Sequence, residues 1–309
     1  MKVLLFGDKD AANLGYEYTQ ALKSVGVDVE CAVTRTNRRR PDRKCRKASI
    51  IEARNIAKEV DVIHFFNSAW YNPRYILEGL SKDKCVAVSH FGSLYREGLE
   101  RMTIEFNKLV DVTFVTVDTL DVGAKNPIWL GQPINLDYIK PVYKRGSDKV
   151  IISHFPTKWF IKGSVVVRTA IYHYVKNQNF EFRYRSKLIS WEENIEEVSK
   201  CDIYIDDLQG DWLNVSAIEA AALGKIVITK FTHADKYKEN FGIPCQVQTA
   251  NGPKELGEKI DELLSMSASE RLALKRKSRK WVEQVHSYKA FGNRLVKIYR
   301  EILDAKLQK

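Results

Sequence analysis

Short apolar runs alternate with helical periodicity along almost the whole chain. KVLLF (2–6), DVECAV (28–33), DVIHFF (61–66), CVAVSHF (85–91) and VTFVTV (112–117), with the shorter IWL (128–130), read as buried strands. Between them GYEYTQALKSV (15–25), ASIIEARNIAKEV (48–60) and GLERMTIEFNKLV (98–110) carry apolar residues at helical spacing. Strands buried on both faces read as continuous Val/Ile/Phe runs, and parallel neighbours need a crossover helix between them. The alternation therefore predicts a doubly wound α/β domain.

The pattern breaks at GQPINLDYIKPVYKRGSDK (131–149), which holds Pro133, Pro141, Gly131 and Gly146. It then restarts with KVIISHF (149–155), FEFRYR (180–185), DIYID (202–206), KIVITK (225–230) and CQVQT (245–249). A boundary near residue 145 gives two Rossmann-like domains, 1–145 and 146–285, and a last helical segment, 286–309, that includes YKAFGNRLVKIYREIL. Two such domains are expected to face each other across a cleft. Ligands of doubly wound sheets bind beyond the carboxyl ends of the strands, so loops that directly follow strands are where chemistry is expected.

Composition narrows the class. At 309 residues, 44% hydrophobic and 29% charged, the chain reads as soluble and globular. Its opening, MKVLLFGDKD, has an apolar run of four, too short for a signal peptide, and no run reaches the roughly 18 residues of a membrane span. Cys31, Cys45, Cys85, Cys201 and Cys245 are odd in number and never spaced C-x-x-C, which predicts free thiols in a reducing, cytoplasmic setting. The formal net charge is +11. RTNRRRPDRKCRK (35–47) supplies +7 of it, eight basic residues against Asp42, leaving only +4 elsewhere. A patch this concentrated points to a polyanionic partner. KRKSRK (275–280) reads instead as a solvated helix face.

The densest chemistry lies in CDIYIDDLQGDWLNVSAIEAAALGKIVI (201–228), which reads strand, loop, helix, glycine, strand. Asp211 and Glu219 stand eight apart, with Asn214, Val215 and Ser216 opening the helix. Free first-turn amides and the positive dipole end can hold a phosphate, and a carboxylate two turns on can accept from ribose hydroxyls. The same residues also suit a helix cap and a surface acid. Asp202, Asp206 and Asp207 flank an apolar strand with no histidine interleaved, so no metal site is expected there.

This segment resembles the donor-binding signature of the GT-B, family 4 type of retaining glycosyltransferases, with aspartate at 211 where that family usually has glutamate. The resemblance implies Glu219 at the ribose, Asp211 near the sugar, and Asn214, Val215 and Ser216 around the diphosphate. VIISHFPTKWFIKGSVVVRTA (150–170) is similar to the family's strand, loop and K-G-[ST] helix start. It implies Lys162 on the leaving diphosphate, Gly163 giving close approach and Ser164 opening the helix. Lys158 is the nearest base where the family has an arginine. SHFGSLYREG (89–98) resembles the H-x-G-S-D-x-R loop, matching at His90 and Arg96 but with Leu94 in the aspartate's place. His90 would then meet the sugar, and Gly15 in DAANLGYEY would lie by the diphosphate.

The family implies a nucleotide-diphosphate sugar as co-substrate, no cofactor, an acceptor-binding first domain and a donor-binding second domain, with the last helix crossing back to the first. The basic loop then belongs to the acceptor side, through Arg35, Arg38, Arg39, Arg40, Arg43, Lys44 and Arg96. A lipid-linked glycan or lipopolysaccharide-type acceptor at the inner membrane surface suits that charge. So does DNA, since some viral enzymes of this architecture glycosylate modified bases, and so does a surface loop that only tunes solubility. A nucleic-acid-binding protein on an inert transferase scaffold, or a sugar-nucleotide epimerase, is the remaining alternative.

Overall fold

The computed structural model describes residues 1–10, 13–35, 45–66, 73–90, 107–115, 124–143 and 149–308. The chain divides into two compact units, Met1–Pro133 with Ser287–Lys309, and Ile134–His286. Both are α/β, as the alternation of the sequence predicts.

In the first unit the described strands are β1 (Lys2–Lys9), β2 (Asp28–Arg35), β3 (Arg46–Lys47), β4 (Val62–Phe66), β5 (Cys85–His90), β6 (Val112–Val115) and β7 (Pro127–Trp129). They form one sheet in the order β3-β2-β1-β4-β5-β6-β7, parallel throughout. Helices α1 (Leu14–Lys23), α2 (Ile50–Lys58) and α3 (Arg74–Leu77) connect them. Most of the helix expected over 98–110 lies outside the described residues, as do Arg38, Arg39, Arg40, Arg43, Lys44 and Arg96.

In the second unit β8 (Val150–His154), β9 (Phe180–Tyr184), β10 (Ile203–Ile205), β11 (Ile226–Thr229) and β12 (Gln248–Thr249) form a parallel sheet ordered β12-β11-β10-β8-β9. Its helices are α4 (Ser164–His173), α5 (Trp191–Ser199), α6 (Val215–Ala222), α7 (Ala234–Phe241), α8 (Pro253–Ser265) and α9 (Ala268–Val285). Numbered within the unit, the order is 5-4-3-1-2. The direction of winding reverses between β8 and β10, and their carboxyl ends flank the crevice where doubly wound sheets bind ligands.

The terminal helix α10 (Tyr288–Leu307) belongs to the first unit and packs against α1. Phe291, Leu295 and Tyr299 enter the core formed by Leu5, Tyr18, Leu22 and Phe114. A polar bond pins it there: His64, buried in β4, hydrogen-bonds through Nδ1 to the Tyr299 hydroxyl at 2.5 Å and through Nε2 to Ser89 Oγ at 2.7 Å.

Two expectations are corrected. Cys31 and Cys45 are not free thiols but a disulfide, their Cα atoms 4.9 Å apart. The short strand β3 makes the pairing, aligning Arg46 with Ala32 and Lys47 with Val33. A two-residue strand carries no hydrophobic period, so spacing alone could not disclose it. The bond closes the base of the basic loop. Cys85, Cys201 and Cys245 are unbonded. Nor is KRKSRK simply a solvated face. Lys275 and Arg279 are buried, Lys275 Nζ donating to Asp202 at 2.5 Å and Arg279 to the carbonyls of Ile139 and Ala222. Arg276, Lys277 and Lys280 do face solvent.

Burial drives the pKa of His64 and of His90 down to about 3. The unfolded chain takes up these protons near pH 6.5, so their contribution to stability is complete above that pH and lost as pH falls towards 3. The slope is about 1.4 kcal/mol per pH unit for each histidine. Urea denaturation should therefore register a loss of roughly 4 kcal/mol for the pair between pH 7 and 5; a flat profile would contradict their burial. Tyr299→Phe, which strips His64 of one partner, should cost about 1 to 3 kcal/mol at pH 7 in the same assay.

Candidate active site

Asp206 and Asp207 directly follow β10, at the reversal of strand order, and both are buried. Two carboxylates removed from water require compensation. Lys162, from the loop after β8, supplies it: Nζ donates to Asp206 Oδ1 at 3.0 Å and lies 3.8 Å from Asp207 Oδ2. Ser216 in the first turn of α6 donates to the same Asp206 oxygen at 2.6 Å. Asp207 shapes its own loop, Oδ1 accepting from the amides of Gln209 and Gly210, both at 2.9 Å, and Oδ2 from Asn214 Nδ2 at 3.3 Å.

The two loops are thus one piece. Leu208 N donates to the Lys162 carbonyl. Gly163 is left-handed at φ 67°, and a Cβ there would meet Gln209 N and Leu208 C at 3.1 Å. Only glycine combines that φ with so close an approach at low cost. Ser164 hydrogen-bonds to His154, a residue the sequence reading passed over. His154 is buried at the end of β8 with its pKa lowered by desolvation. Since the Ile205 carbonyl can only accept, His154 donates to it through Nδ1 (2.9 Å) and accepts from Ser164 Oγ through Nε2 (2.8 Å).

Two helices start here. Three helix starts are closed by S-x-x-E boxes, Ser49 with Glu52, Ser190 with Glu193 and Ser267 with Glu270, whereas those of α1, α3, α7 and α8 have no side-chain cap. At Gly163 before α4 and Asn214 before α6 there is no side-chain cap. With the ammonium beside them, these termini can receive an anion. The Lys162 ammonium has three donors, and among the described residues its partners are Asp206 and Asp207.

The remaining residues singled out from sequence fall in three places. Glu219, half-buried on α6, accepts from Trp191 Nε1 at 2.6 Å, and the Trp191 ring stacks on Tyr138 at 4.9 Å between centroids. Asp211 faces the loop after β11. Thr232 donates to it by amide (2.8 Å) and hydroxyl, and His233 Nε2 lies 3.5 Å away. Partial burial would raise the Asp211 pKa, but the two Thr232 bonds outweigh it and hold the carboxyl below its ordinary range. Lys158 is exposed. Asp202 sits at the opposite end of β10, paired with Lys275, so the three aspartates do not converge. Among the described residues no group of three or more His, Cys, Asp or Glu could hold a metal.

In the first unit, His90 is buried at the carboxyl end of β5, neutral because burial depresses its pKa. Gly15 opens α1, but its amide is already bonded to buried Asp10 (2.8 Å), which also takes the Tyr16 amide (3.0 Å). Arg35 is engaged by buried Asp8, to which Nε donates at 2.8 Å. Arg46 similarly meets Glu30 at 2.9 Å. Part of the positive charge of the 35–47 stretch is therefore matched within the unit.

By sequence, no protein-family model and no curated protein matches the chain. Solved structures do match in fold. HepE of Anabaena, in complex with UDP and glucose, is 10% identical with a TM-score of 0.67, covering 97% of this chain and 100% of its own. An alpha-glucosyltransferase in complex with UDP is 12% identical at TM-score 0.69, with coverage of 97% and 100%. Sucrose-phosphate synthase of Thermosynechococcus elongatus is 12% identical at 0.65, with 99% and 100%. From end to end, then, this chain has the GT-B fold of glycosyltransferases, as the resemblance of its motifs implies.

Proposed function

We propose that the protein is a glycosyltransferase that moves a sugar from a nucleoside diphosphate donor, UDP being the nucleotide favoured by the fold's relatives, to an acceptor hydroxyl. The observation that carries this reading is the Lys162 ammonium, fixed at the reversal of strand order beside the uncapped start of α6. The barrier to transfer lies in departure of the diphosphate while positive charge grows on the sugar ring. Lys162 and the amides of Val215 and Ser216 meet that negative charge, so no divalent ion is required. Donors preorganised in this way are worth about 3 to 4 kcal/mol each. Glu219 accepts from the ribose, His90 and Asp211 serve the sugar, and anomeric configuration is retained as in the resembling family. An anionic, lipid-linked acceptor suits the net charge of +11.

The ion pair makes the test specific. Lys162→Met leaves two buried carboxylates without a counter-ion and should cost about 3 to 5 kcal/mol of stability. Adding Asp206→Asn should restore much of it. Donor turnover, followed as UDP release from UDP-sugars, should stay down by about 10² to 10³ in both variants. Recovery of turnover with stability would reduce Lys162 to a structural ion. Trp191→Phe should weaken UDP binding about tenfold, through loss of the bond that orients Glu219, and blunt discrimination against the 2′-deoxy analogue. Titration calorimetry decides, and unchanged affinity and discrimination would remove Glu219 from the ribose.

A further inference from the structure

Between Asp148 and Glu181 the chain contains no acidic residue, while Lys149, Lys158, Lys162, Arg168 and Lys176 are basic. The same stretch carries apolar side chains in water. Trp159 is 52% exposed, Phe160 57%, Ile161 41%, Val165 63% and Tyr172 69%. Positions 165, 168 and 172 follow helical spacing, so Val165, Arg168 and Tyr172 share the outer face of α4, and Ile161 is exposed in the turn just before it. That turn is wound: Lys162 N donates to the Lys158 carbonyl and Ser164 N to the Trp159 carbonyl. Trp159 and Phe160 pack edge to face, 5.8 Å between centroids. The inner face of α4, Val167, Ala170 and Ile171, is in the core.

We propose that this face docks on an anionic lipid bilayer. Trp, Phe and Tyr are the residues that settle at headgroup depth, and aliphatic neighbours continue below them. Lys158, Arg168 and Lys176 are exposed around them and reach phosphate headgroups while their stems cover apolar surface. Asp261 accepts from the amides of Lys176 and Asn177 just beyond the end of α4. A second copy of the chain is a poor occupant, because self-pairing would bring these bases against each other. Nucleic acid would satisfy the charge but leave Ile161 and Val165 uncovered, since phosphates offer aliphatic groups nothing. The docking stands independently of sugar transfer; where both hold, Lys162 and the start of α4 lie beside the lipid surface from which an acceptor would come.

Sedimentation of the full chain with extruded vesicles tests this. Binding to vesicles containing one third phosphatidylglycerol should exceed binding to pure phosphatidylcholine by about tenfold or more. Trp159→Ser with Phe160→Ser should lower it about tenfold, and Lys158→Glu with Arg168→Glu should abolish the anionic preference. In wild-type protein, brominated lipid should quench a part of the tryptophan emission that Trp159→Phe removes, a readout that needs no destabilising change. Failure to sediment with anionic vesicles overturns the proposal, and so does wild-type binding by the Trp159/Phe160 variant, which would move the contact to residues 35–47. Binding to duplex DNA in place of vesicles, lost in the Lys158/Arg168 variant, overturns it in favour of a nucleic-acid partner. UDP affinity, measured alongside, reports separately on the donor site.

Discussion

One partly exposed ammonium held between two buried carboxylates organises the second unit. Charges taken out of water must be matched, and removing one partner of such a set costs more than the set contributes. Lys162, Asp206 and Asp207 therefore constrain one another's backbones. Asp207 winds residues 207–210 around its carboxylate, Asp206 fixes Ser216 in the first turn of α6, and the Lys162 carbonyl receives Leu208. The loops after β8 and β10, separated by 44 residues at their charged contact, become one rigid ledge. His154 adds a second stitch, bonding Ile205 with one ring nitrogen and Ser164 with the other. The ledge stands where the sheet order reverses, the place where this topology opens a crevice.

How much of this could be read from the chain depended on the range of each interaction. Strands β1, β4, β5 and β8 were legible because they are largely apolar runs buried on both faces. Lys162 and Ser216 were legible as helix-start chemistry, a local signal. What was not legible is pairing over distance. Nothing near Asp206 announces Lys162, nothing near Trp191 announces Glu219, and Cys31 meets Cys45 only because two residues return to the sheet edge. Lys275 and Arg279 misled for a related reason. A charge run looks solvated until Asp202 and the carbonyls of Ile139 and Ala222 are placed against it.

The starts of α1 and α6 differ, and the difference bears on where an anion can bind. Asp10 is buried against the start of α1 and takes the amides of Gly15 and Tyr16. A carboxylate already occupies the positive end of that helix, so the Gly15 amide is not on offer to a phosphate unless Asp10 moves. At α6, Asn214 turns its side chain to Asp207 and caps nothing. The first-turn amides there keep their polarity for a ligand, at a cost of about 1 kcal/mol relative to a capped start.

That cost has company. Asp206 Oδ2 is buried and, among the described residues, has no hydrogen-bond partner. A buried acceptor in that state gives up about 1 to 3 kcal/mol of solvation. Packing alone would favour an apolar residue at the end of β10, where Ile203 and Ile205 precede it. Sequences depart from such local rules chiefly at sites selected for something besides stability. The uncapped start of α6 and an ammonium with a donor to spare lie within one ledge, and both are answered by a phosphate that accepts from the amides and the ammonium together; the Asp206 oxygen, itself an acceptor, is not. Their coincidence at the reversal of strand order is the physical argument behind the proposal that the diphosphate binds there.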